Sequence, residues 1–230
     1  MSAAPSLQSS LATQGFHFTL STTLSVPIAH ALDRCPFHLL YDLDPHVYAD
    51  QYELAQRPGY TSLLWGTSDL ERPVSAVDPK GTLLLITADN THITREQNSN
   101  ITLDVPLHAR YGRPSQSSDT TIHHIDLKLP VGFFACVPDS EYQVCSPSPV
   151  PDVLRPYTSL PGWPTLSLSV VQDTSPNDFL RVAIPVGIRE DVGWVDVGTA
   201  VVMIAMFFYL LFTSICTARR LASKPYAKTD

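Results

Sequence analysis

The run HLLYDLDPHVYADQYEL, residues 38–54, gathers many of the groups with which proteins do chemistry. Asp42, Asp44, His46, Asp50 and Glu53 lie in it, interleaved with Tyr41, Tyr48 and Tyr52. Asp42-Leu43-Asp44 has the D-x-D spacing that many sugar transferases use to hold a metal ion and a nucleotide sugar. Such a site needs a nucleotide-binding α/β domain with helices covering a parallel sheet. No alternation of helix and strand patterns runs through this chain, and Asp44-Pro45 is an ordinary turn signal. A catalytic D-x-D is therefore not expected here. His123 and His124 are adjacent, so on a strand they point to opposite faces and cannot share one metal ion. His108, two residues before Arg110, reads as an exposed histidine on the polar side of a strand. Cys136 sits in the apolar run GFFACV, which suits core or half of a disulfide better than an activated thiol. The sequence has no G-x-S-x-G, no Cys-x-x-Cys and no phosphate-cradling glycine loop. It points to no catalytic residue, no cofactor-binding residue and no metal ligand.

The elements that would position these groups read mostly as strands. In FHFTLSTTLSV, Phe16, Phe18, Leu20, Leu24 and Val26 alternate with polar residues. The same period of two marks Ile101, Leu103, Val105, Leu107 and Ala109. It recurs in Ile125, Leu127 and Leu129, in Leu166, Leu168 and Val170, and in Val182, Ile184, Val186 and Ile188. Each pattern predicts a strand with one buried and one wet face. TLLLITA (82–88) and VGFFACV (131–137) are continuous apolar runs of strand length, expected near sheet centres. Twenty prolines fit a chain of short strands, and Pro106 and Pro185 inside strand patterns mark edges or bulges. The expected fold is all-β: an antiparallel sandwich of seven or eight strands over residues 16–194. Residues 1–15 are expected to be disordered, the Pro-rich stretch 146–164 to be a long loop, and residues 38–54 to be a docking or structural loop.

Val197 to Cys216, VGTAVVMIAMFFYLLFTSIC, carries no charge. At about 1.5 Å per residue it matches the roughly 30 Å hydrocarbon core of a bilayer, and it is expected to be a transmembrane helix with Trp194 and Tyr226 at the interfaces. Its only polar side chains are hydroxyls and a thiol, so it lines no ion path by itself. The tail 217–230 carries Arg219, Arg220, Lys224 and Lys228, which places it on the cytoplasmic side. The 230-residue chain has a formal net charge of −7, and the part upstream of the tail about −10; no basic cluster there would bind nucleic acid. The N-terminus shows no signal-peptide pattern. An exported domain and a tail-anchored cytosolic domain both remain open on these grounds. Asn100-Ile101-Thr102 is an N-glycosylation acceptor triplet. Among the cysteines, Cys136 with Cys145 is a candidate disulfide; Cys136 with Cys35, and free thiols, are the alternatives.

Three stretches in order, CPFHLLYDLDPHVYADQYEL, LHARYGRPS and LPVGFFAC, together with the single C-terminal membrane helix, resemble the PIG-X family. The elements that carry the resemblance are Tyr48, Asp50, Tyr52, Glu53 and Leu54 in the first stretch, and His108, Arg110 and Tyr111 in the second. The resemblance covers most of residues 16–216. It implies a lumenal domain on a single-pass endoplasmic reticulum membrane protein. It also implies an accessory, non-enzymatic role: stabilising a multi-spanning catalytic partner of the PIG-M type, which adds the first mannose to glycosylphosphatidylinositol (GPI) precursors, without cofactors of its own. The eight residues just named are then candidates for docking that partner; the membrane lipid is the other contact. Two other classes fit the architecture: a general lumenal chaperone of the endoplasmic reticulum, and a cell-surface adhesion or receptor ectodomain.

Overall fold

The computed structural model describes residues 4–12, 15–26, 35–69, 72–89, 99–116, 121–136 and 167–223. It falls into two units, one of residues 1–113 and 122–186, the other of residues 114–121 and 187–230.

The first unit is built almost wholly of strands. One sheet has the order β11–β1–β2–β7–β4, formed by Gln172–Asp173, Ser6–Leu11, His17–Val26, Ser99–Ala109 and Val47–Tyr48. The second has the order β10–β9–β3–β6–β5, formed by Ser167–Val170, Val131–Cys136, Phe37–Leu43, Thr82–Ala88 and Tyr60–Trp65. A two-stranded sheet pairs β12, Phe179–Pro185, with β8, Ile122–Lys128. All pairings are antiparallel except β1 with β11. The inner residues of both large sheets join in one core: Leu7, Phe18, Leu20 and Leu24 from the first, Phe37, Leu39, Tyr41, Leu84, Ile86 and Phe134 from the second. Ile125, Leu127, Val182 and Ile184 of the small sheet belong to the same core. An antiparallel sandwich follows from the period-two patterning, since only face-to-face packing buries one side of each strand.

The two continuous apolar runs form β6 and β9, neither of them a sheet edge. Their outward residues explain why alternation is lost. Leu85, Phe133 and Ala135, with Leu40 and Leu168, make a second buried cluster on the opposite face of that sheet. Pro185 ends β12, an edge strand. Pro106 lies on β7 where β4, which pairs only at residues 108 and 109, no longer reaches, so its missing donor removes nothing from the ladder.

Three expectations are corrected. Residues 6–11 are not disordered: they form β1, which hydrogen-bonds on both edges and buries Leu7 completely. The stretch is too rich in serine to read as a strand, but Ser9 is buried with its hydroxyl 3.2 Å from that of Thr22, so its polarity is satisfied. Residues 38–54 are not one loop: the first part is β3, a central strand whose Phe37, Leu39, Tyr41 and Leu43 face the core. The disulfide joins Cys136 to Cys35, not to Cys145. Register is the reason. Phe37 opposes Phe134 in the β3–β9 ladder, and two residues further along Cys35 and Cys136 stand opposite one another. Cys145 and the stretch 146–164 lie outside the described residues.

The second unit holds a helix, α2, Val192–Ala222, entered through a turn of 3₁₀ helix at Arg189–Asp191. It is the one helix among the described residues long and apolar enough to cross a membrane, and it extends the predicted 197–216 by about a turn and a half at each end. Within this unit Ser115 receives a hydrogen bond from Arg189 N at 2.9 Å and donates one to Gly187 O at 2.8 Å.

Candidate functional site

The two sequence stretches meet at the end of β7. Val47 opposes Ala109 and Tyr48 opposes His108 on one side of β7, while His17 of β2 opposes His108 on the other. Cross-strand neighbours share a face, so His17, His108 and Tyr48 form a row of rings. Tyr48 stacks on His108 with centroids 5.1 Å apart and planes within 13°. His17 meets His108 edge-on at 4.5 Å. Arg110, two residues along the same face, lays its guanidinium 4.6 Å from the Tyr48 ring centroid, a cation–π contact.

The segment after β4 is a one-turn helix, α1, Gln51–Ala55, and its sequence assigns every residue a direction. Asp50 caps it, accepting the Tyr52 backbone N–H at 2.8 Å; short acidic side chains suit this position because the first amides have no helical partner. Leu54 turns into the core and is fully buried. Glu53 points across to β7, where its Oε2 accepts from His108 Nε2 at 2.8 Å, while Oε1 accepts from Arg57 at 3.0 Å. Tyr52 is left facing outward and is 72% exposed.

Burial sets the electrostatics. His108 and Arg110 are 9% and 3% exposed, contrary to the reading of His108 as an exposed histidine. Alternation put them on the polar side of β7, but α1, β4 and the backbone at Asp69 and Arg72 cover that side. A carboxylate only accepts, so His108 Nε2 carries the proton of the Glu53 bond; Nδ1 has no partner. Arg110 donates from one terminal nitrogen to the backbone carbonyls of Asp69 and Arg72, the latter at 2.9 Å, and its Nε is also without a partner. Burial lowers the Arg110 pKa, while Tyr48 and Asp69 pull it back upward. Burial raises the Tyr48 phenol, against the effect of Arg110. For Glu53, burial acts to raise the pKa, but the hydrogen bonds from Arg57 and His108 outweigh it and hold the carboxyl below its ordinary value. The buried arginine is tolerated because two carbonyls and an aromatic face replace its water.

Of the eight candidate residues, Tyr48, Glu53, His108 and Arg110 therefore form one cluster, with His108 and Arg110 buried and Tyr48 and Glu53 half-buried. Asp50 and Leu54 hold α1 in place beside it. Tyr52 and Tyr111 stay exposed, Tyr111 at 77% and resting against Phe16 with centroids 4.7 Å apart. Sequence reasoning did not place His17, Phe16, Arg57 or the carbonyls of residues 69 and 72 at this site. Arg57 had a signal, the i,i+4 spacing from Glu53; the others come from strand register. The acids of the D-x-D run are engaged separately, Asp42 with Lys128 on β8 at 2.6 Å and Asp44 with His46 at 2.6 Å. Among the described residues no group of three His, Cys, Asp or Glu side chains is placed to hold a metal ion. The arrangement can clamp: it ties β2, β4, α1, β7 and one loop to a single point and presents two tyrosines at its margin. Asn100, at the start of β7, is exposed.

A family model described as PIG-X / PBN1 matches residues 13–215. Protein PBN1 of Debaryomyces hansenii is 28% identical over 137 residues, which are 58% of this chain and 28% of that protein; the chain thus spans little more than a quarter of that relative's length. Among solved structures, BcpA, the major pilin subunit of Bacillus cereus, aligns over 79% of this chain and 40% of its own, with 8% identity and a TM-score of 0.33.

Proposed function

The chain belongs to the PIG-X / PBN1 family, and from that premise we propose that it is a non-catalytic, stabilising subunit of the endoplasmic reticulum mannosyltransferase complex that adds the first mannose to GPI-anchor precursors. The observation that carries this reading is the convergence of the family-resembling residues. Tyr48, Glu53, His108 and Arg110 assemble at one point of the sandwich. A subunit of this kind acts by binding the native form of its partner, which raises the folded population of that partner by mass action. The partner is a multi-spanning catalytic subunit of the PIG-M type. Both substrates of the reaction are lipid-linked, so the catalyst must build a cavity in the bilayer, which one helix does not do.

The same reading places the domain in the lumen, anchored by α2 as a single pass with the basic tail in the cytoplasm. The disulfide Cys35–Cys136 supports this, because such bonds persist in oxidising compartments. So does the exposure of Asn100 at an acceptor triplet. Treating the full-length protein from cells with an N-glycosidase is expected to shift its gel mobility, and Asn100→Gln is expected to abolish the shift. Digestion of the whole domain by protease added to sealed microsomes would overturn the topology.

Docking falls to the exposed members of the motif. Tyr52→Ala and Tyr111→Ala each remove a large exposed aromatic that touches little of the domain's own core, the kind of side chain that anchors interfaces. The double variant is expected to keep its thermal midpoint within about 2 °C and to lose at least tenfold in co-purification with the catalytic subunit, a change worth about 1.4 kcal/mol. Unchanged recovery of the catalytic subunit would remove this surface from the docking role.

A further inference from the structure

Of the polar side chains on the apolar segment of α2, Tyr209 lies closest to its middle and is left without a partner by the bilayer reading. Tyr209 lies 13 residues after Asp196 and 10 before Arg219, the charged residues that bound the apolar segment. At 1.5 Å per residue its Cα is about 20 Å from one and about 15 Å from the other along the helix axis. A phenol side chain is too short to bring its hydroxyl to either interface from that depth, unlike the long stems of lysine and arginine. Thr213, one turn further along, satisfies itself by donating to the Leu210 carbonyl at 3.0 Å. Among the described residues Tyr209 makes no such bond, and it is 60% exposed. In hydrocarbon a hydroxyl without a partner costs free energy that water would otherwise remove.

We propose that the Tyr209 hydroxyl is the hydrogen-bonding contact between α2 and one helix of a multi-spanning partner, which presents an acceptor — a carboxylate, amide or backbone carbonyl — at mid-bilayer depth. The proposal rests on α2 spanning the membrane and deepens the partnership proposed above. The face is shaped for a helix. Ala205 lies one turn and Gly198 three turns N-terminal of Tyr209 on the same side, so a neighbouring backbone can come close there. A second copy of this chain fits less well. Packed through the same face, two copies would oppose their phenol rings at the centre of a stripe whose small residues call for close approach. A different helix, with a small polar side chain or a broken backbone at that level, meets both demands.

The experiment uses the full-length chain in membranes of cells lacking their own copy, extracted in mild detergent, with recovery of the catalytic mannosyltransferase subunit as the readout. Tyr209→Phe removes only the hydroxyl and is expected to lower recovery about three- to tenfold, the range of single hydrogen bonds between membrane helices. Phe208→Leu, on another side of the helix, is expected to leave it unchanged. Full recovery with Tyr209→Phe overturns the proposal, as does full recovery after Val197–Cys216 is replaced by an unrelated apolar span; either result leaves the lumenal docking reading standing. Failure of the wild-type chain to recover the catalytic subunit overturns both. Two differently tagged copies can also be treated with a thiol cross-linker at Cys216, two turns beyond Tyr209 on the same face. A homodimer product that Tyr209→Phe abolishes would identify the occupant as a second copy and overturn the proposal.

Discussion

Replacing Cys35 and Cys136 together with alanine is expected to lower the unfolding free energy of the sandwich by about 4 kcal/mol. The bond spans a sequence separation of 101 residues, and the chain-entropy estimate for a loop of roughly that size is about 4.7 kcal/mol. That figure is an upper bound, since residual structure in the unfolded chain already limits its freedom. The loss would still be a large share of the 5–15 kcal/mol typical of whole domains. Both cysteines are buried, at 0% and 4% exposure, so reductant added to the native protein should act slowly, through unfolding. The bond fastens the start of β3 to the end of β9, two central strands of the second sheet, so its loss should reach the core rather than a margin. Urea unfolding of the full-length chain in detergent micelles measures the effect, with Cys216→Ala as the control expected to change nothing. A loss below about 1 kcal/mol would mean that the register of β3 on β9, not the covalent bond, supplies the stability.

The second large effect concerns acid. His38 lies on the outer side of β3, buried at 6% exposure, with Nδ1 2.9 Å from the Thr87 hydroxyl and its ring stacked on Phe133 at 5.2 Å. Burial lowers its pKa from 6.5 to about 4. The folded state therefore refuses a proton that the unfolded chain takes up below about pH 6.5. Stability is complete above that pH, falls as the pH drops toward 4, and levels off beneath it. At about 1.4 kcal/mol per pKa unit the total is on the order of 3 kcal/mol. His38→Gln cannot titrate in this range. It should start less stable at pH 7.5 and show a flat profile where the wild type declines. An identical decline in both proteins between pH 6.5 and 4.5 would show that His38 does not govern it. Glu53 works in a lower window. Its folded pKa is held below the ordinary carboxylate value, so the stability it contributes is present above about pH 4.5 and disappears only as the pH falls through that folded value.

The residues that look chemical on paper do mechanical work in the fold. Glu53, His108 and Arg110 carry charge or protons, yet each spends its hydrogen bonds on neighbouring elements of the same chain. Cluster residues and surface residues should therefore separate in experiment. Under the proposed docking role, changes to the first group are expected to act on folding and only thereby on the partner, and changes to Tyr52 and Tyr111 on the partner directly.

Much of this protein is legible without coordinates, because the signals are local. Alternation along FHFTLSTTLSV and ITLDVPLHA marks strands with one buried face. The uncharged run from Val197 marks a membrane-length helix. Each depends only on residues a few positions apart, where backbone geometry imposes its own period. Tertiary structure decided the rest. Whether His108 and Arg110 meet water depends on α1 and a loop folding over the polar side of β7, a fact no period of two contains. The choice of Cys35 over Cys145 follows from the register of β3 against β9. The serine-rich start of the chain becomes a strand because β2 and β11 offer it hydrogen bonds on both edges. Burial and pairing are properties of what arrives from elsewhere in the chain, and a hydrogen bond or a disulfide forms only where two distant segments are brought into contact.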